Sequence, residues 1–109
     1  MLNDLFYGMR DINSEYTEVG VKANKTGKAI HMPVTRQCNI RVDVEGLEDK
    51  AALAVMFEES NDGVTFSEIG TFPIPDSAHG ILFAKYKSYI RYQLIVGGTN
   101  PNLDVIIRF

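Results

Sequence analysis

Asn39-Ile40-Arg41-Val42-Asp43-Val44-Glu45 alternates apolar and polar residues without a break. Successive side chains of a strand point to opposite faces. The stretch therefore reads as a strand with Ile40, Val42 and Val44 inward and the charges outward. The next segment is less plain. Residues 51–59 carry Leu53, Val55 and Phe57 in one phase, but Ala52, Ala54 and Met56 fill the other. Ala, Leu and Met favour a helix on propensity. Val55, Phe57 and the turn signal that follows at once favour a strand covered on both faces. That signal is Ser60-Asn61-Asp62-Gly63. Asn and Asp tolerate turn geometry and Gly supplies a positive φ, so a hairpin is expected, with Val64-Thr65-Phe66 returning as the partner strand.

Outward from this centre the period stays at two. Upstream, residues 18–22 and 29–34 read as short strands joined by the turn Asn24-Lys25-Thr26-Gly27-Lys28. Pro33 suits a strand end or an edge, because it cannot donate to a ladder. Gly46-Leu47-Glu48-Asp49-Lys50 is a polar connection. Downstream, Ile69 and Phe72 lead to Pro73-Ile74-Pro75, where two prolines restrict pairing. Gly80-Ile81-Leu82-Phe83 is a short apolar strand. Residues 89–96 form a long one, with Ile90, Tyr92, Leu94 and Val96 on one face. Gly97-Gly98-Thr99-Asn100-Pro101-Asn102 breaks it, and residues 103–109 alternate again. About eight or nine short strands with turns between them describe an all-β sandwich or barrel. No internal repeat and no low-complexity linker divides the chain, so residues 18–109 are expected to form one β-sandwich domain.

Residues 1–17 stand apart as an N-terminal arm. Leu2, Leu5, Phe6 and Met9 fall at helical spacing and make one apolar stripe, with Asn3 or Asp4 as a cap. A stripe this short holds no helix in water alone, so it must pack on the domain or on a neighbour. Asn3, Asp4, Arg10 and Asp11 interrupt any apolar run, so neither a signal peptide nor a membrane span is expected. A soluble protein made in a reducing cytoplasm is the expectation.

Composition removes whole classes. The chain has 109 residues, a net charge of −3, one cysteine and two histidines. A lone cysteine forms no internal disulfide, so a stapled secreted scaffold is excluded. Structural zinc needs about four ligands, more than this chain groups together. Excess acid and scattered Lys and Arg argue against a direct nucleic-acid partner. The densest basic stretch is Lys85, Lys87 and Arg91, interleaved with Tyr86, Tyr89 and Tyr92. Such a mix suits a nucleic-acid strand, but it is more simply the outer face of an amphipathic strand.

Candidate chemistry is thin. His31 and His79 are far apart in sequence and sit in no metal spacing. Cys38 begins an alternating strand and reads as a small buried hydrophobe. Glu58, Glu59 and Asp62 make an acidic cluster that is conceivable for acid–base work or calcium, but turn geometry already explains Asp62. There is no phosphate loop, nucleophile elbow or zinc-protease motif. No catalytic residue, cofactor or metal is expected, and a binding or structural role is.

Two stretches carry a resemblance. Glu59-Ser60-Asn61-Asp62-Gly63-Val64-Thr65-Phe66-Ser67-Glu68-Ile69-Gly70 is a strand, an S-x-D-G turn and a returning strand. Tyr89-Ile90-Arg91-Tyr92-Gln93-Leu94-Ile95-Val96-Gly97-Gly98-Thr99-Asn100-Pro101 is an aromatic-basic strand running into a Gly-Gly-Thr-x-Pro corner. In this order and at this length they resemble small bacteriophage capsid decoration (cementing) proteins with a jelly-roll fold. The resemblance implies a jelly-roll-like antiparallel sandwich of about eight strands behind a short arm. It implies a non-enzymatic virion protein on the outer capsid of a tailed phage. Its partners would be the major capsid protein and its own copies, as a trimer. On that reading Leu2, Leu5, Phe6 and Met9 contact capsid or a neighbouring subunit. The S-x-D-G hairpin also occurs in discoidin-type carbohydrate-binding sandwiches, where tryptophan platforms are usual; this chain has no tryptophan. A head–tail joining or tail-tube protein is a further alternative. A cupin-like enzyme needs a cluster of His and carboxylate ligands on adjacent strands, for which two isolated histidines are too few.

Overall fold

The computed structural model describes residues 15–33, 36–47 and 50–109. The arm residues Leu2, Leu5, Phe6 and Met9 lie outside the described residues. The described residues form nine strands: β1 (Glu15–Val21), β2 (Lys25–Thr26), β3 (Ile30–His31), β4 (Arg36–Glu45), β5 (Ala51–Ser60), β6 (Ser67–Pro73), β7 (Ala78–Lys85), β8 (Tyr89–Gly98) and β9 (Leu103–Arg108). Among the described residues there is no helix. The protein is an all-β sandwich of two antiparallel sheets.

Strand order fixes the topology. One sheet runs β1-β9-β4-β7; the other runs β2-β8-β5-β6, with β3 also on β8. β2 and β3 lie end to end along β8, Lys25 opposite Leu94 and Ile30 opposite Ile90, one residue out of step. They act as one interrupted strand. The pairs then nest: β5 with β6, β4 with β7, β2 and β3 with β8, and β1 with β9. That is a single long hairpin rolled into two four-strand layers, which is the jelly-roll arrangement.

Inner faces follow the alternation read from sequence. Cys38, Ile40, Val42 and Val44 of β4 line up with Ile81 and Phe83 of β7 and with Leu103, Val105 and Ile107 of β9. Leu53, Val55 and Phe57 of β5 face them with Ile90, Tyr92 and Leu94 of β8. Burying each such aliphatic or aromatic side chain stabilises by roughly 1.5–3 kcal/mol. Phe57 bridges the layers, its ring 4.7 Å from Phe83 and 6.2 Å from both Phe72 and Phe109.

Four expectations change. β1 begins at Glu15, so residues 15–17, expected in the arm, pair with β9. β5 is a strand, but only one face is fully covered; Ala52 is exposed and Ala54 and Met56 half-buried. A two-layer sandwich has no third layer to cover the outer face. Residues 64–66 are not strand: β6 begins at Ser67, and the connection is a six-residue loop. Lys25-Thr26, read as part of a turn, is instead paired to β8. Gly27 follows because Tyr92 lies beneath it, and a Cβ there would meet the Tyr92 ring at 2.5 Å.

Candidate functional site

The connections between strands gather at two ends. At one end lie the β5–β6 loop, the β7–β8 connection and the segment after β3. This end carries most of the residues that sequence reading singled out.

The loop closes on itself. Ser60 Oγ accepts from the Asp62 and Gly63 amides at 3.2 and 3.0 Å and donates to Asp62 at 2.8 Å. The same Asp62 oxygen accepts from the Val64 and Thr65 amides, both at 2.9 Å. These four residues' amides bond to side chains, so they make no ladder, which is why Val64 and Thr65 are not strand. The Thr65 and Val64 amides and the Ser60 hydroxyl hold the Asp62 carboxyl down at about 2, below its usual range. Gly63 has φ +76°, as the turn requires.

Glu58 and Glu59 are occupied too. Glu58 accepts from Arg91 at 2.8 Å and Gln93 at 2.8 Å, and the Arg91 guanidinium lies 4.0 Å over the Phe66 ring. Glu59 accepts from the Tyr86 and Lys87 amides at 2.9 and 3.2 Å, bracing the β7–β8 turn. The acidic cluster is thus a set of three separate structural acceptors.

The basic-aromatic stretch does not form one face. Lys85 is fully buried, in phase with Ile81 and Phe83. Its ammonium donates to the carbonyls of Met32 and Lys87, the latter at 2.5 Å, tying two connections together. This corrects the reading of Lys85 as a surface base. The signal was available: Lys85 shares the parity of Ile81 and Phe83. Tyr92 is 2% exposed, so it offers no platform for a ligand. Tyr89 is half-buried and pairs with His31, ring centres 4.8 Å apart. Tyr86 is 69% exposed, and Val64 in the β5–β6 loop is also exposed.

The remaining candidates do not converge. His31 belongs to the five-stranded sheet and His79 to the four-stranded sheet. His79 sits 3.9 Å from Asp76. Cys38 is buried on β4. Among the described residues no three His, Cys, Asp or Glu side chains group to hold a metal ion. An open concavity on the outer face of the four-stranded sheet is lined by Asn39, Arg41, His79, Gly80, Arg108 and Phe109. Arg41 and Arg108 there both engage Asp43.

One constellation was missed in sequence. Tyr92 on β8 donates to Glu18 on β1 at 2.5 Å, and Lys25 on β2 reaches the same carboxylate at 2.8 Å. The trio latches the two sheets along their shared open side. Burial works to raise the Glu18 pKa, but the Lys25 and Tyr92 hydrogen bonds and the Lys25 charge outweigh it, and the net shift is downward. Burial and the Glu18 carboxylate push the Tyr92 hydroxyl up. Glu18 and Tyr92 are 74 positions apart, so only the rolled topology brings them together.

No protein-family model, curated protein or solved structure matches the chain. Among the described residues no helix is long and apolar enough to cross a membrane.

Proposed function

We propose that this protein is a non-enzymatic structural component of a virion, binding the outer surface of a tailed-phage capsid and stabilising it as a decoration protein. The observation that supports the reading best is the nested jelly-roll hairpin. The S-x-D-G turn and the Gly-Gly-Thr-x-Pro corner, whose sequence carries the resemblance to cementing proteins, are connections of that hairpin. A second support is the use of polar groups. Glu58, Glu59, Asp62 and Lys85 all serve the scaffold itself. Four large apolar side chains, Val19, Val64, Leu82 and Tyr86, are left exposed. On this reading neighbouring protein on the shell would cover them.

The partners on this reading are the major capsid protein and further copies of this chain, as a trimer, with the arm residues Leu2, Leu5, Phe6 and Met9 as contacts. Many equivalent sites on a shell let an oligomer engage several at once and gain avidity. The test is electron microscopy of particles assembled with and without the protein. Added density on the outer shell, and particles that resist heat better, are expected. Intact particles that acquire no such density overturn the proposal. Deleting residues 1–9 and repeating the binding measurement tests the arm; unchanged binding removes it from the contact.

A further inference from the structure

A two-sheet sandwich has four edge strands, and exposed edges invite pairing with other chains. Three edges here are blunted. β1 is broken by a register shift between Glu18 and Val21, where Gly20 has φ +65° and its amide goes to Asp104 at 2.9 Å. β2 and β3 are two residues each, out of step with one another. β6 carries the extra residue Ile69 at a register shift and ends in Pro73.

β7 is different. It is eight residues long, contains no proline, and pairs with β4 from Lys85 to Ala78 without a shift. Its outward row is Ala78, Gly80, Leu82 and Ala84, none of them charged, and Leu82 is 59% exposed. The one lysine of the strand is buried and so gives the edge no protection.

We propose that the β7 edge is a self-association surface, where β7 of a second copy pairs antiparallel about a two-fold axis at Ile81. The same patch on both copies makes the contact isologous and closed. This register sets Leu82 opposite Gly80 of the second copy and Ala84 opposite Ala78. Gly80 has the room: a Cβ built there meets nothing within 4 Å. The exposed knob of one copy thus sits over the gap of the other, and no like charges face each other along the outward row. At the ends, this register sets Asp76 of one copy opposite Tyr86 of the other, the residue before Lys87. The two four-stranded sheets become one continuous sheet. The contact is two-fold, and it does not rest on the capsid reading.

Sedimentation velocity on the full chain, from micromolar to near-millimolar concentration, tests this. A concentration-dependent dimer is expected, weakened at least roughly tenfold by Leu82→Lys, a shift of about 1.4 kcal/mol. Circular dichroism shows whether that variant keeps its fold, and Ala84→Lys at the same edge repeats the test if it does not. The double variant Gly80→Cys with Leu82→Cys is expected to form intermolecular disulfides joining positions 80 and 82, identified by mass spectrometry of unreduced peptides. A wild-type monomer at every concentration, a dimer indifferent to both lysine variants, or no 80–82 disulfide overturns the proposal.

Discussion

Tyr92→Phe removes one oxygen atom from the latch between the sheets and leaves the ring in place against Tyr16, 6.3 Å away. Glu18 then loses its hydroxyl donor but keeps Lys25 at 2.8 Å. A hydrogen bond to a charged group contributes about 1.5–3 kcal/mol. The Glu18 side chain retains 15% exposure and can recruit water, which lowers the loss. The expected destabilisation is therefore about 1–2 kcal/mol at pH 7. For a domain of this size that lowers Tm by roughly 5–10 °C. The pH dependence has two arms. Glu18 is depressed in the folded state, so its contribution is present above the unfolded value of 4.5 and fades as pH falls through the lower folded value. Tyr92 is raised, so its contribution is present below 10.0 and declines as pH rises beyond that. Urea unfolding of both proteins at pH 3, 7 and 10.5 measures this. The gap between wild type and variant should be widest at pH 7. A gap below about 0.5 kcal/mol there, or one equal at all three pH values, would refute the latch.

Two further outcomes follow from the same geometry. Phe57→Ala empties the centre of the core between two hydrogen-bonded sheets that collapse poorly, so about 3–5 kcal/mol should be lost in urea titration; a loss under 1.5 kcal/mol contradicts the packing. Asp62→Ala releases the amides of residues 64 and 65, so limited proteolysis should cut the β5–β6 loop faster at pH 7. Because the carboxyl titrates near 2, the wild-type loop should keep its protection down to pH 3; early loss of protection between pH 5 and 3 argues against the Asp62 cap.

Much of the layer structure was legible because burial is one-sided. β4, β8 and β9 alternate cleanly, and their inward residues are the core. Residues 64–66 misled because Val, Thr and Phe favour strands, while the amides needed for a ladder were already taken by Ser60 and Asp62. β2 misled for the opposite reason: two residues carry no period, and only pairing to β8 makes them a strand. Lys85 was readable by parity but its charge obscured it. The Glu18–Tyr92–Lys25 latch was not readable at all, since it depends on which strands meet across the sandwich.

The nesting of the strand pairs also sets an order of assembly. Closing the chain directly at β1 and β9 would cost the entropy of a loop nearly as long as the domain. Closing β5 on β6 first costs only the short loop that Ser60 and Asp62 pre-shape. Each later pair then joins ends that the previous pair has already brought close. The chain can thus zip outward from its middle, with β1 docking last. A domain whose outermost strand is last on is also one whose outermost strand is first off. Hydrogen exchange should accordingly find β1 the least protected of the long strands, with β5 and β8 the most.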